Sequence, residues 1–573
     1  MSIGTWWRAH GWSGGVMLAV IGVAAASHAG WRTLDPGETR EWLIRWSGTF
    51  LGINLCVILA AGILEWERIR NLARRLFPGR LLYLPLVFLV GGTLYTALLA
   101  PQTHRIFYDE TLYLSIGQNL AQLDRAQICH AGGETYGQFR CDQGEYNKQP
   151  NGYPFLISLL FRLVGTSEQA AFYFNNLLLG TGAVIALLLV FPAGGSWRAG
   201  LFAAGVMTLD PQNLHWYNTT AAEPASAVMT ALTLLAAFHY RRAPTRTALA
   251  LLAALSAFAV QFRPESLLLL PLVLVLAWRP ASREPGVLLA MLLLFLVLTL
   301  PLWLHLELFH NHPWGSAGKP FSLEYLGHNL AVNGWHYFDN QRFPLPFTLL
   351  AVIGLLRPGG QRFERGVTGL WFLLFWGVFL FFYAGSYRYG ADVRYALLSA
   401  VPLAVLAGLG AETLFRRLSH HLGASAVTGT GLVAALLWGA HLPFMPLVRA
   451  TTDEAWAARA DLRFARQMVA HLPPESLVLS HNPSLFQLWG AHGAQLSLLR
   501  SDPVFVRQVL MPRYRGGLYF HHNFWCNVPD KLQNDFCDHA RAEFHIETVV
   551  EYREQKDRYG LYRLRPKSTV SAP

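Results

Sequence analysis

Charge is what this chain has least of. Charged residues are 14% and hydrophobic residues 53% of its 573 positions, against about 25% charged in an ordinary soluble domain. A purely soluble protein is excluded, and the mean hydropathy of +0.28 points to the membrane. Cysteine is scarce too: Cys56, Cys129, Cys141, Cys526 and Cys537 are the whole set. Neither close pair has the ligand spacing of structural zinc. In an oxidising compartment Cys129–Cys141 and Cys526–Cys537 can bridge, with four free thiols as the alternative. Cys56 falls inside an apolar run and is read as inert. There is no glycine-rich phosphate loop, no Rossmann fingerprint, no internal repeat and no low-complexity tract. The net charge of +11 does not make a nucleic-acid binder, because the arginines cluster in short loops between apolar runs, as the positive-inside pattern requires.

What is present is a succession of about thirteen apolar spans of about 15–25 residues each. They run near 12–31, 47–64, 81–100, 168–192, 198–217, 222–240, 245–260, 265–279, 286–306, 345–357, 368–385, 393–412 and 424–443. The first ends in small residues, Ala24 to Ala29, and resembles a signal peptide. The basic loops follow even-numbered spans: Arg68 to Arg80, Arg241 to Arg246, Arg279 and Arg283, Arg357 to Arg365, Arg416 and Arg417. Those loops are expected in the cytoplasm, with the amino terminus. The loops 101–167 and 307–344 and the tail from about 444 are then expected outside.

The expected organisation is an α-helical polytopic membrane protein with three parts: extra helices and a basic loop over 1–80, a transmembrane core over 81–443, and an outer α/β domain over 444–573. In the first outer loop, Leu112, Ile116, Leu120 and Leu123 recur at helical spacing and predict an interfacial helix over 111–123. Residues 152–164 predict a second. In the tail, 456–472 reads as helix, 476–480 and 517–520 as strands, and 558–563 as an edge strand.

Asp109 and Glu110 follow the third span. Carboxylates beside a membrane are costly to desolvate, so a pair there points to chemistry or ligand binding; capping of the helix that follows is the plainer account. Lys148, in Tyr146-Asn147-Lys148-Gln149-Pro150, closes the same loop and suits a phosphate or the acids. Glu223 opens a span, and Asp210 lies within another. Arg263, before Pro264 and Glu265, stands on the outer side, against the charge bias, where it suits a lipid phosphate or a simple pair with Glu265. Arg388 and Arg394 also run against the bias, while Tyr387, Tyr389 and Tyr395 fit an aromatic girdle. His305, His310, His312, His328 and His336 have no standard ligand spacing and read as interfacial histidines. The sequon Asn218-Thr219-Thr220 lies too close to a span to mark an obvious glycan site.

Taken in order, these residues resemble the polytopic glycosyltransferases of the GT-C superfamily that use lipid-phosphate sugars, among them the protein O-mannosyltransferases and the lipid A aminoarabinose transferase. The resemblance spans about 81–412 and rests on Asp109-Glu110 followed by Tyr113, Lys148-Gln149-Pro150 closing the loop, Glu223 opening a later span, Arg263-Pro264, and Arg394-Tyr395 before Pro402. It implies a polyprenyl-phosphate sugar as donor, its phosphate held by Lys148 and Arg263 with Arg388 or Arg394, and Asp109 as the base that deprotonates an acceptor hydroxyl. Glu110 and Glu223 would position acceptor or sugar. The acceptor is a glycan, lipid or protein, and a divalent metal is neither required nor excluded. A multi-pass protein of the inner (plasma) membrane with a periplasmic tail follows. The alternatives are a transporter or flippase of a polar lipid or solute, which would share the intramembrane charges, and a non-catalytic envelope scaffold whose acids are caps.

Overall fold

The computed structural model describes residues 34–567, with Gly22 and Gly30, except 107, 313–317, 340, 388–391, 422–424, 450–452 and 529–530. Apart from Gly22 and Gly30, the first expected span lies outside the described residues. The chain divides into two compact units. The first holds residues 1–102, 150–153 and 172–450, and the second 103–149, 154–171 and 451–573.

The first unit is helical. Each expected span from the second onward coincides with a helix or a helix pair. Among the described residues, seven helices are long and apolar enough to cross a membrane, or eight if the bent pair Pro285–Leu298 and Leu300–Leu308 is one span. The expected thirteen are not all reached, because several helices are short: Arg246–Ala259 and Leu345–Leu356 would extend only about 18–21 Å at 1.5 Å per residue, short of the about 30 Å of a hydrocarbon core. The bend of 49° has a local cause, since Pro301 cannot donate an amide and crowds the preceding turn. Asp210, expected inside a span, instead stands at a break between Trp197–Leu209 and Pro211–Trp216, where its carboxylate accepts from the Gln212 amide at 2.9 Å.

The helix Leu397–His421 is buried along most of its length. Its neighbour Leu345–Leu356 approaches closely because both present glycine: a Cβ on Gly410 would lie 1.9 Å from the Leu350 carbonyl oxygen, and one on Gly354 1.9 Å from that of Leu406. Close backbone packing through small residues is the membrane alternative to hydrophobic association. Elsewhere, buried asparagines hold the irregular stretch before Glu223. Asn175 Nδ2 donates to the Thr219 carbonyl at 2.8 Å and the Ala221 carbonyl at 3.0 Å, and Asn176 Nδ2 to the Tyr217 carbonyl at 2.8 Å. Asn218 is fully buried and donates to backbone carbonyls of Thr96 and Ala100, so the sequon carries no exposed side chain.

The second unit is built on a seven-stranded sheet of order β2-β1-β4-β3-β5-β7-β6. Its strands are β1 Ile128–Thr135, β2 Gln138–Glu145, β3 Ser476–Ser480, β4 His492–Gln495, β5 Gly517–His522, β6 Phe544–Glu554 and β7 Asp557–Pro566. β3 is parallel to β4 and β5, and the other pairs are antiparallel. The short apolar run Ser476–Ser480 is buried at every position, as a central strand covered on both faces requires. Leu477, Leu479, Leu518 and Phe520 face one core with Cys537 and Ala540. Val478 and Tyr519 face the other with Phe464, Ala465 and Met468, the period of two expected of strands. The expected edge strand at 558–563 is not at an edge: β7 pairs with β5 on one side and β6 on the other. The sulfurs of Cys129 and Cys141, and of Cys526 and Cys537, are joined as disulfides, and Cys56 is free.

Candidate functional site

In the second unit, the helix Asp109–Leu123 begins at the acid pair. Two acids in the first turn suit the positive end of the helix dipole. Glu110 does more than cap. Its Oε1 accepts from the backbone amides of Arg105 at 2.7 Å and Ile106 at 3.0 Å, and its Oε2 lies 3.0 Å from His104 Nδ1. The other ring nitrogen, Nε2, lies 2.5 Å from Glu168 Oε1, and Glu168 Oε2 accepts from Arg466 Nη2 at 2.9 Å. A carboxylate at each ring nitrogen makes both nitrogens donors, so the ring is an imidazolium. Burial opposes that charge, but Glu110 and Glu168 outweigh it and raise the His104 pKa to about 10. Burial likewise pushes Glu110 up, yet His104 and the two amides bring it below the usual carboxylate range. Glu110 is therefore an ionised, fully occupied acceptor.

Asp109 differs from its neighbour. It is half-buried, whereas Glu110 is completely enclosed. Before it stands Tyr108 with φ of 87°, a left-handed conformation rare for a bulky residue and frequent where a backbone is held for function. Two bonds anchor this turn: Thr111 Oγ1 donates to the Tyr108 carbonyl at 2.9 Å, and Asn482 Nδ2 donates to Thr111 Oγ1 at 2.8 Å. Tyr113 is buried on the same helix, its hydroxyl 3.3 Å from Gln149 Oε1. Lys148 lies beside Gln149, in the turn between β2 and the helix Gly152–Val164.

The first unit gathers the other expected residues. Glu223, the first residue of the helix Glu223–Arg242, is buried and pairs with Arg263. Arg394 Nε lies 3.0 Å from the same Glu223 oxygen, and Arg263 also pairs with Glu265. Both guanidiniums lie against the Tyr395 ring, at 5.3 Å for Arg263 and 5.1 Å for Arg394, and that ring stacks on Phe379 at 4.2 Å. Residues separated by up to 172 positions thus form one cluster of two acids, two cations and an aromatic platform. Arg388 lies outside the described residues.

Sequence reasoning missed His104, Arg105, Glu168 and Arg466. His104 and Glu168 stand 64 residues apart, and only folding brings them together. Arg105 did carry a signal: an arginine in a loop placed outside, against the charge bias, as Arg263 is. For metals, His481, Cys526 and Cys537 form a group of ligand size among the described residues, but the two sulfurs are bonded to each other and offer no thiolate.

The architecture has solved counterparts. ArnT from Cupriavidus metallidurans, bound to undecaprenyl phosphate, matches with a TM-score of 0.52 at 14% identity, over 83% of this chain and 97% of that one. The apo form matches at 0.51 and 13%, over 84% and 97%. The chain has a GT-C-like fold. The Archaeoglobus fulgidus oligosaccharyltransferase also matches, with a TM-score of 0.47 at 10% identity, over 85% of this chain and 75% of that one. No family model and no curated protein matches by sequence.

Proposed function

We propose that this protein is an integral-membrane glycosyltransferase that moves a sugar from a polyprenyl-phosphate donor to an acceptor hydroxyl on the outer side of the membrane. The observation that carries the reading is the contrast within the acid pair. Glu110 is saturated by His104 and two amides, while the half-buried Asp109 follows a strained tyrosine at the start of the helix. The GT-C-like fold, shared with an ArnT bound to undecaprenyl phosphate, supports the donor class.

In this reading Asp109 takes the hydroxyl proton as the acceptor oxygen bonds to the anomeric carbon. The bond from that carbon to the phosphate oxygen breaks, and polyprenyl phosphate leaves with the electron pair. A single base and direct displacement give inversion at the sugar. Arg263, Arg394 and Lys148 are the cations assigned to the donor phosphate, where they stabilise charge as it develops. Tyr395 keeps the two arginines oriented through its ring, Tyr113 lines the acid helix, and Glu223 fixes the arginines and positions the sugar. Hexosyl or pentosyl transfer, and a glycan, lipid or protein acceptor, both fit these residues.

The test is transfer of labelled sugar from a polyprenyl-phosphate donor in membranes holding wild type or Asp109→Asn. The substitution preserves size and removes the base. It is expected to lower turnover by about 10²–10⁴-fold at unchanged folding. Near-normal turnover by the folded variant would leave Asp109 only a capping role.

A further inference from the structure

The Arg105 side chain is 2% exposed, and Nε, Nη1 and Nη2 all lack a hydrogen-bond partner among the described residues. Its backbone amide is used by Glu110, but that carboxylate spends its oxygens on the two amides and His104. The Arg459 guanidinium lies close enough to repel it. Neither arginine pairs with a carboxylate among the described residues. His104 and Arg466 already take the carboxylates of Glu110 and Glu168. A buried guanidinium without partners is costly, and two adjacent ones invite a shared anion. Burial depresses the Arg105 pKa to about 9, with Glu110 opposing and Arg459 adding to the depression, so the guanidinium keeps its charge at neutral pH.

We propose that Arg105, with Arg459 beside it, forms a phosphate-binding site in the second unit. The planar fork of five donors matches phosphate oxygens bidentately, and two guanidiniums suit a group that carries more than one negative charge better than a carboxylate does. The choice of phosphate rests on the glycosyltransferase reading; the unsatisfied guanidinium does not. The phosphate belongs either to the lipid donor or to a water-borne ligand.

The test is thermal unfolding of the purified full-length protein titrated separately with undecaprenyl phosphate, inorganic phosphate and acetate. Wild type should be stabilised by at least one phosphate probe and not by acetate. A response to undecaprenyl phosphate alone assigns the site to the lipid, and a response to inorganic phosphate as well assigns it to phosphate reached from water. Arg105→Leu should weaken binding about tenfold to a hundredfold, with Arg105→Lys intermediate and Arg459→Gln, at a partly exposed position, also weaker. Ligand-free Arg105→Leu should unfold at the same or a higher temperature, because it removes an unpaired buried charge; a purely structural arginine would lower it. Wild-type affinity in both Arg105→Leu and Arg459→Gln, equal stabilisation by acetate, or no response of wild type to either phosphate overturns the site. Asp109→Asn should keep phosphate binding. Phosphate binding in a protein that transfers no sugar keeps the site and removes the glycosyltransferase reading, whereas sugar transfer without loss of binding in the arginine variants does the reverse.

Discussion

His104 sits between two carboxylates in a buried position, and its charge is the centre of the second unit's ionic chain. Removing it leaves the buried Glu110 without its cation and Glu168 with Arg466 alone. His104→Gln should destabilise the protein by about 3–5 kcal/mol, the usual result of stripping one partner from a buried pair. The folded pKa of about 10 exceeds the ordinary 6.5, so the folded state binds the proton more tightly. That contribution is complete below about pH 6.5, declines as pH rises, and is lost as pH passes about 10. Unfolding midpoints measured from pH 5 to 10.5 should therefore fall on the alkaline side in wild type and stay flatter in His104→Gln. Identical profiles would show that the ring carries no linked proton.

Among elements, the contact between the helices Leu345–Leu356 and Leu397–His421 depends on absent side chains. A Cβ at Gly410 would collide with a backbone carbonyl rather than a movable side chain, so the helices must separate. Gly410→Val should cost about 1–3 kcal/mol or more by overpacking, read as a lower midpoint in detergent. Gly366→Ala is the control. Its Cβ would meet nothing within 4 Å, and it should be neutral or stabilising by up to about 1 kcal/mol, since alanine favours helix over glycine. Equal effects of the two substitutions would contradict the close approach. The elements of the tail were partly legible: the buried run 476–480 and the strand from 517 stand out through β-branched and aromatic residues bounded by turns. β1 and β2 do not, because Gly132, Gly133 and Gly144 dilute them. Their one local mark is the turn at Tyr136 and Gly137, both at positive φ, 53° and 72°, as a tight hairpin demands.

For the molecule as a whole, the basic loops after alternate spans predict which side each part faces. A reporter fused after Arg449 should be active if it works only outside the cytoplasm and silent if it works only inside. The opposite result would place Asp109 on the wrong face for the proposed donor. The tail and the first outer loop share one sheet, with β1 paired to β4. Residues 131 and 494 are too far apart in sequence for any local pattern to announce that pairing.

The sequence by itself determined the membrane class, the helix positions, the acid pair and the arginines that run against the charge bias. Those follow from composition and from patterns a few residues long, which hydrophobicity and charge make visible. Only the tertiary structure decided that Glu223, Arg263, Arg394 and Tyr395 form one cluster, that Glu110 is enclosed while Asp109 is half-buried, and that the buried Arg105 guanidinium has no hydrogen-bond partner among the described residues. Each depends on groups brought together, or left apart, by packing at long sequence separation, which no local periodicity encodes.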